Sequence, residues 1–531
     1  PYLDDELASF PYVNGGLFAD ENIEIPNFTQ EIMDVLLHKA SEDFDWSQIS
    51  PTIFGAVFES TLNPETRRSG GMHYTSIENI HKVIDPLFLY ELRGEFEEIK
   101  ALKISKTQKE RAEKFRDKLA NLTFFDPACG SGNFLTETYI ALRRLENKAL
   151  KLIMGDQIAW DLFDNAIKVS IGQFYGIEIN DFAVTVAKTA LWIAESQMLK
   201  ATEEILNRQL EFFPLKSYAN IVEGNALRID WETVVPKEKL NYIMGNPPFV
   251  GYSLQSEDQK KDILSIYVDE KGKPYKTAGK IDYVAGWYFK AATFMEGTNI
   301  RTAFVSTNSI TQGEQVAGVW KPLYDRFNIH IDFAHRTFRW DSEASIKAQV
   351  HCVIVGFSTA PNPKPKQLYS SERLQLVDNI NFYLIEAPTV FVESRNKPIC
   401  SVPHMTTGNR PADGGHLIIE NDELEAFLKK EPNAQKFIKK LIGSEEFINN
   451  KKRWCLWLVD ANPAELIKMP EIMNRIELCR QDRLNGAPDR QKLADTPTLF
   501  RETKNPNAYM IVPATSSENR RYIPIDYLSK D

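Results

Sequence analysis

The stretch Leu122-Thr123-Phe124-Phe125-Asp126-Pro127-Ala128-Cys129-Gly130-Ser131-Gly132-Asn133-Phe134-Leu135 decides how the rest of the chain is read. An apolar strand-like run ends on a carboxylate, turns through two glycines and re-enters an apolar segment of helical composition. Glycines 130 and 132 let the backbone turn tightly and approach a ligand, and a helix start leaves N–H groups free. A G-x-G alone fits any strand–helix turn, whereas the whole string is far more specific. Asp126 at the strand end is suited to accept from a cationic amine, as in an amino-acid moiety, and less suited to a pyrophosphate.

Working outward, apolar strands alternate with helices: Leu122 to Phe125, Phe174 to Ile179, Asn220 to Val222, Tyr242 to Met244, Thr302 to Ser306, Ile329 to Phe333 and Val350 to Phe357. Continuous apolar strands separated by helices predict a mainly parallel, doubly wound α/β sheet covered on both faces, with ligands beyond the carboxyl ends of its strands. Upstream, residues 1–72 read as a small helical domain, with a helix over Thr29 to Ala40 and a boundary at Gly70-Gly71. Thr75-Ser76-Ile77-Glu78 matches a capping box opening an amphipathic helix, and 100–118 read as a charged, solvated helix or linker. After Pro361-Asn362-Pro363-Lys364-Pro365-Lys366 the alternation stops. The expected domains are therefore 1–72, 73–358 and 359–531, the last of mixed α/β type.

Composition bounds the possibilities. The chain has 531 residues, 43% hydrophobic, enough for several cores. It opens on Pro1, without Met, and is expected to be a piece of a longer protein. No run approaches the roughly 18 apolar residues of a membrane span, and five scattered cysteines without a C-x-x-C pair favour a reducing, cytoplasmic setting over a disulfide or zinc framework. The net charge of −10 arises almost wholly from the first 60 residues, which hold twelve acids and one base, so it does not exclude a nucleic-acid cleft elsewhere.

Three further motifs follow strands. Glu178, at the tip of the second strand, can accept from both hydroxyls of a ribose. Asn225, after the third, can exchange hydrogen bonds with a purine edge. After the fourth comes Asn246-Pro247-Pro248-Phe249. Proline lacks an N–H and restricts the residue before it, so this is a stiff, acceptor-rich segment that needs outside donors. The Asn246 side-chain oxygen and the Pro247 carbonyl can accept both protons of an exocyclic amine while Phe249 stacks on the ring bearing it. That pulls the nitrogen towards tetrahedral geometry and frees its lone pair to attack a methyl sulfonium without a prior base.

The order Gly71-Met72-His73-Tyr74-Thr75, then Asp126 to Gly132, then Asn246-Pro247-Pro248-Phe249 resembles S-adenosylmethionine-dependent adenine-N6 DNA methyltransferases of the gamma arrangement. Phe10-Pro11-Tyr12-Val13-Asn14-Gly15-Gly16-Leu17-Phe18, Arg453-Trp454-Cys455-Leu456-Trp457-Leu458 and Ser516 to Pro524 extend the likeness to MmeI-like (Type IIL) restriction-modification enzymes. The resemblance implies a class I S-adenosylmethionine-dependent methyltransferase sheet preceded by a helical spacer and followed by a target-recognition domain, here incomplete. It implies Tyr74, Thr75, Asp126, Ala128, Gly130, Gly132 and Glu178 around S-adenosylmethionine, Asn225 at its adenine, and Asn246, Pro247, Pro248 and Phe249 at the target base. Ser76 stands where proline is common and Asn225 where aspartate is common, so the bond to the cofactor's adenine stays open. The family's metal-dependent D...ExK nuclease is expected upstream of residue 1. Asp85 with Glu98 and Lys100, or Asp495 with Glu502 and Lys504, fits that spacing only loosely, so no metal is assigned.

The expected partner is double-stranded DNA, bound by a monomer with no membrane association. A target nitrogen inside a duplex is unreachable unless its base flips, at a cost of a few kcal/mol. Phosphate and base contacts are expected in the last third, chiefly from Lys452, Arg453, Arg520 and Arg521, with Lys451, Arg480, Arg483, Arg490 and Arg501 as further candidates. The rival readings are cytosine-N4 methylation, methylation of a protein glutamine, and a DNA specificity module without catalysis. His335, Arg336, Phe338, Arg339 and Trp340 are candidates for the rim of a flipped-base pocket, and the Trp454–Leu458 run for core.

Overall fold

The computed structural model describes residues 27–42, 49–51, 75–154, 166–208, 210, 220–340, 350–371, 373–517 and 520–529. Two compact units divide the chain, Pro1–Arg395 and Asn396–Asp531.

All seven expected strands form: β1 (Phe124–Asp126), β2 (Phe174–Glu178), β3 (Asn220–Glu223), β4 (Tyr242–Gly245), β5 (Arg301–Thr307), β6 (His330–Trp340) and β7 (Val350–Ser358). They join β8 (Lys366–Ser370) and β9 (Arg373–Val377) in one sheet of order β3-β2-β1-β4-β5-β7-β6-β8-β9. From β3 to β5 every pairing is parallel, as expected. β7 departs, running antiparallel to both β5 and β6. Only residues 341–349 connect β6 to β7, too few for the crossover of about a dozen or more residues that parallel neighbours need. Because the order reverses between β1 and β4, their carboxyl ends flank the crevice in which such sheets place ligands.

Period-2 alternation sorts adjacent residues to opposite faces. Phe124 joins the core beneath α2 (Ile77–Ile84), α3 (Tyr90–Lys100), α4 (Ser105–Ala120), α5 (Asn133–Met154) and α6 (Asp181–Leu206). Phe125 joins the core beneath α7 (Glu257–Ile266), α8 (Ala285–Met295) and α9 (Gly313–Phe327). Each ring is fully buried, worth about 1.5–3 kcal/mol of transfer free energy. Two expectations shift. The segment 100–118 is not wholly solvated, since α4 buries Ala112, Phe115, Arg116 and Leu119. The cap before α2 is Ser76, whose side chain accepts from Asn79 N, and not Thr75. Further upstream α1 (Gln30–Asp34), capped by Thr29, runs on into a wider turn over Val35–Glu42.

Past residue 358, where the sheet was expected to end, the chain stays with it. Asp332 accepts from Ser358 Oγ at 2.6 Å, Asn362 Nδ2 at 2.7 Å and Lys366 Nζ at 3.3 Å. That buried carboxylate turns the proline-rich stretch back so that β8 pairs parallel to β6.

The second unit is built on a three-stranded antiparallel sheet, β10 (Ile418–Glu420), β12 (Arg453–Leu456) and β11 (Ile438–Lys440) in that order, with a separate hairpin of β13 (Ala508–Ile511) and β14 (Asp526–Ser529). Helices α10 (Leu424–Lys430) and α11 (Pro470–Leu484) supply Phe427, Ile472, Ile476 and Cys479 to its core, where Cys455, Leu456 and Leu458 are also buried, as expected for that run.

Candidate active site

At the carboxyl end of β1 the Asp126 side chain is fully buried. Its Oδ1 accepts from Ala128 N at 3.0 Å, while Oδ2 has no partner. Burial pushes its pKa up to about 8 against the opposing Ala128 bond, and the nearby Glu178 carboxylate raises it further. Gly130 and Gly132 follow at φ +53° and +78°, and a Cβ on Gly132 would stand 2.9 Å from the Ala187 Cβ, so α6 packs against bare backbone there. Glu178 closes the loop from β2: Oε2 accepts from Gly130 N at 2.9 Å and Oε1 from Asn180 N at 3.0 Å. It is largely buried, and burial raises its pKa. Each oxygen keeps a second lone pair for an outside donor.

β4 delivers Asn246 to the neighbouring strand end. Gly245 has φ +154°, and a Cβ on it would stand 2.4 Å from Asp126 Oδ1, so the two strand ends meet without a side chain between them. Asn246 Nδ2 donates to Thr75 Oγ1 at 3.3 Å, a bond open to Thr75 because Ser76 does the capping. Asn246 Oδ1 is buried without a partner. Pro247 is buried, Pro248 and Phe249 half-buried, and the Phe249 ring packs against both cores of the sheet. Tyr74 lies outside the described residues.

Among the described residues, the buried side-chain oxygens lacking a partner are Asp126 Oδ2, Asn133 Oδ1, Thr136 Oγ1 and Asn246 Oδ1. All four belong to the ends of β1 and β4 or to the first turn of α5 after the glycines. A fold satisfies nearly all buried polar groups, so four unmet acceptors in one place mark where outside donors belong.

Asn225 is held by two partners within the protein. Its Nδ2 donates to Asp262 Oδ2 at 3.0 Å and its Oδ1 accepts from Leu227 N at 2.9 Å, which fixes the carboxamide orientation from both ends. Asp262 also accepts from Arg228 Nε at 2.7 Å and Tyr283 Oη at 3.0 Å. Sequence reasoning missed Asp262, Asp282 and Tyr283. Asp282 accepts from Tyr252 N at 3.0 Å, Gln315 Nε2 at 2.9 Å and Ser309 Oγ, and so holds the loop after Phe249. Tyr283 N donates to Val250 O at 2.9 Å. Asp262 stands within α7, and Asp282 and Tyr283 lie in the connector just before α8; no motif marks any of the three.

His335 is buried within β6, not beyond it, stacked on Tyr369 with ring centroids 4.2 Å apart. Burial depresses its pKa to about 4, and the nearby Lys82 charge adds to this. Asp85 is bonded to His81 and Arg93, and Glu502 to Arg410.

In the second unit Lys452, Arg520 and Arg521 are exposed, and Arg521 lies over the Tyr522 ring. Arg453 is half-buried and paired with Glu446 at 3.0 Å. Arg483 is corrected outright: it is fully buried, and its guanidinium donates to the carbonyls of Pro411, Ala412, Leu493, Thr496 and Leu499 at 2.7–3.0 Å. Among the described residues no helix is long and apolar enough to cross a membrane.

The family description "MmeI, DNA-methyltransferase domain" matches residues 102–370, and "MmeI, target recognition domain" matches 386–531. DNA methyltransferase A of Bacillus subtilis (strain 168) is 39% identical over 533 aligned residues, covering 99% of this chain and 58% of that protein. The Type IIL restriction-modification enzyme MmeI, solved in complex with DNA, is 42% identical with a TM-score of 0.84, covering 99% of this chain and 70% of that one. The chain thus spans little more than half the length of the curated relative. With this sheet, glycine loop and Asn-Pro-Pro-Phe segment in place, the chain belongs to the MmeI family, carrying its DNA-methyltransferase and target recognition domains.

Proposed function

We propose that this chain methylates N6 of an adenine flipped out of double-stranded DNA, with S-adenosylmethionine as the methyl donor. The observation that carries the reading is the set of four unpartnered buried oxygens at the ends of β1 and β4 and in the first turn of α5. When bound, S-adenosylmethionine supplies a methyl group on a positively charged sulfur.

The residues fit that group. Asp126 Oδ2 lacks a cation, and an amino-acid ammonium is the kind of partner that would restore its charge. Asn133 and Thr136 present further acceptors in the first turn of α5. Glu178, rigid between two backbone N–H groups, offers its remaining lone pairs to a ribose diol. Asn225, locked by Leu227 and Asp262, keeps one N–H to offer an adenine ring nitrogen. In the target pocket Asn246 Oδ1 and the Pro247 carbonyl accept from the exocyclic amine, Thr75 orients the Asn246 carboxamide, and Phe249 stacks on the base. Pro248 stiffens the turn. Once the methyl group had moved to the nitrogen and the carbon–sulfur electron pair had stayed with the sulfur, one amine proton would pass to solvent; Asn246 Oδ1 and the Pro247 carbonyl, as preorganised acceptors and not as strong bases, would lower the barrier.

Residues 73–358, completed by β8 and β9, form the methyltransferase in this reading, 1–72 the helical spacer and 359–531 the recognition region. Lys452, Arg453, Arg520 and Arg521 supply phosphate and base contacts there, the protein acting as a monomer in the cytoplasm. The test is incubation of plasmid DNA with the chain and S-adenosylmethionine, followed by sequencing for modified bases. N6-methyladenine at one short motif supports the proposal; N4-methylcytosine, or binding with no methyl incorporation, overturns it.

A further inference from the structure

Resting on the cofactor and target sites proposed above, we infer that Tyr283 is a positioning residue that couples occupancy of the cofactor's adenine subsite to the order of the target-base loop. One residue links three loops, the first directly and the other two through a side chain of α7 and one of α8. Its backbone N–H donates to Val250 O at 2.9 Å, one residue past the stacking Phe249. Its hydroxyl donates to Asp262 Oδ2 at 3.0 Å, the same oxygen that receives Asn225 Nδ2 at 3.0 Å. Its ring meets Trp287 edge-on at 5.3 Å, and Trp287 Nε1 donates to Pro127 O at 3.1 Å in the loop after Asp126.

The neighbours reinforce the link. Asp282 holds Tyr252 N, and Gln255 Nε2 donates to Ile281 O at 2.9 Å, so the loop from Val250 to Gln255 is strapped to Ile281, Asp282 and Tyr283 in series. Tyr283 is 5% exposed, so its ring cannot swing away without disturbing the packing of the core around Phe125. A ligand that presses on Asn225 therefore loads Asp262, then the Tyr283 hydroxyl, then the backbone that fixes Val250. Linkage makes the effect mutual: order in the target loop favours the cofactor by the same factor.

The test uses the full chain and S-adenosylhomocysteine, with hydrogen–deuterium exchange read on peptides spanning 249–256. In the wild type, saturating S-adenosylhomocysteine slows exchange at Tyr252 and Leu254 by about tenfold, inside the range of ordinary coupling energies. In Tyr283→Phe, which removes only the hydroxyl, the ligand still binds but the extra protection disappears. Asp262→Asn, its melting temperature compared with that of the wild type to confirm folding, gives a second arm with the same loss. Undiminished extra protection in both variants, or none in a saturated wild type, overturns the coupling. Failure of the wild type to bind S-adenosylhomocysteine at all overturns instead the cofactor site on which it rests.

Discussion

Asn246 and Thr75 face each other with the carboxamide nitrogen donating to the hydroxyl at 3.3 Å, which turns the carboxamide oxygen into a buried acceptor with nothing to accept. A bond between residues 171 positions apart in sequence thus sets the direction in which Asn246 presents its lone pairs. Replacing Asn246 by alanine removes that oxygen. Methyl transfer should fall by at least about 100-fold, the scale of deleting one preorganised transition-state partner, while S-adenosylhomocysteine binding stays within about threefold. Tritiated methyl incorporation and a ligand titration measure the two; parallel loss of both would mean that the residue serves the cofactor.

The Phe249 ring packs against both cores and stays half-buried. Phe249→Trp keeps a stacking face and should retain partial activity. Phe249→Ala forfeits about 1–3 kcal/mol of stacking and should raise KM for duplex DNA more than for a substrate with the target adenine mispaired, because a base that flips easily needs less help. Unchanged rates on duplex DNA would remove Phe249 from the base pocket.

Asp126 makes the protein's behaviour pH-dependent. Its folded pKa, pushed up to about 8, lies above its ordinary 3.8, so over that interval the folded chain holds a proton that the unfolded chain has lost. The associated stability is complete below about 4 and is lost as pH rises through 8. The melting temperature should therefore drop more between pH 6 and 9 for the wild type than for Asp126→Asn. Binding an ammonium group requires the carboxylate, so ligand binding at pH 7 should release a proton, and affinity should rise about tenfold by pH 8.5. Calorimetry in two buffers of different ionisation enthalpy detects the proton; its absence would separate Asp126 from the amine.

Arg483 uses all five guanidinium N–H donors on five carbonyls. Lysine offers three donors in another geometry, and alanine none. At about 1–3 kcal/mol per unsatisfied buried group, Arg483→Ala should unfold the second unit and abolish DNA binding, leaving S-adenosylhomocysteine affinity within twofold. A gel shift and a thermal scan check this; retained DNA binding would sink it.

The strands were legible because each is a continuous apolar run bounded by turns, and the glycine loop because few other sequences pass so abruptly from Phe125 through Asp126 to Gly130 and Gly132. The candidate site could be proposed from sequence where one stretch carries its own chemistry, as in Asn246 to Phe249. It was illegible where partners meet only in space. Nothing near Asn225 announces Asp262, which lies 37 residues on, and nothing near Tyr252 announces Asp282. Thr75 and Ser76 are both competent caps, so the one-residue choice between them could not be made from composition. Arg483 was readable after all: Ile472, Ile476 and Cys479 stand at helical spacing before it, so the stripe that buries them places the arginine inside.

Asp332 and the two strands it ushers in bear on how these proteins can be recombined. A chimera that exchanged recognition modules by splicing at residue 358 would sever β8 and β9 and bare a long edge of β6, an invitation to edge-to-edge aggregation. Swapping at the junction following Arg395 leaves β8 and β9 on their own sheet and keeps the compact unit Asn396–Asp531 whole.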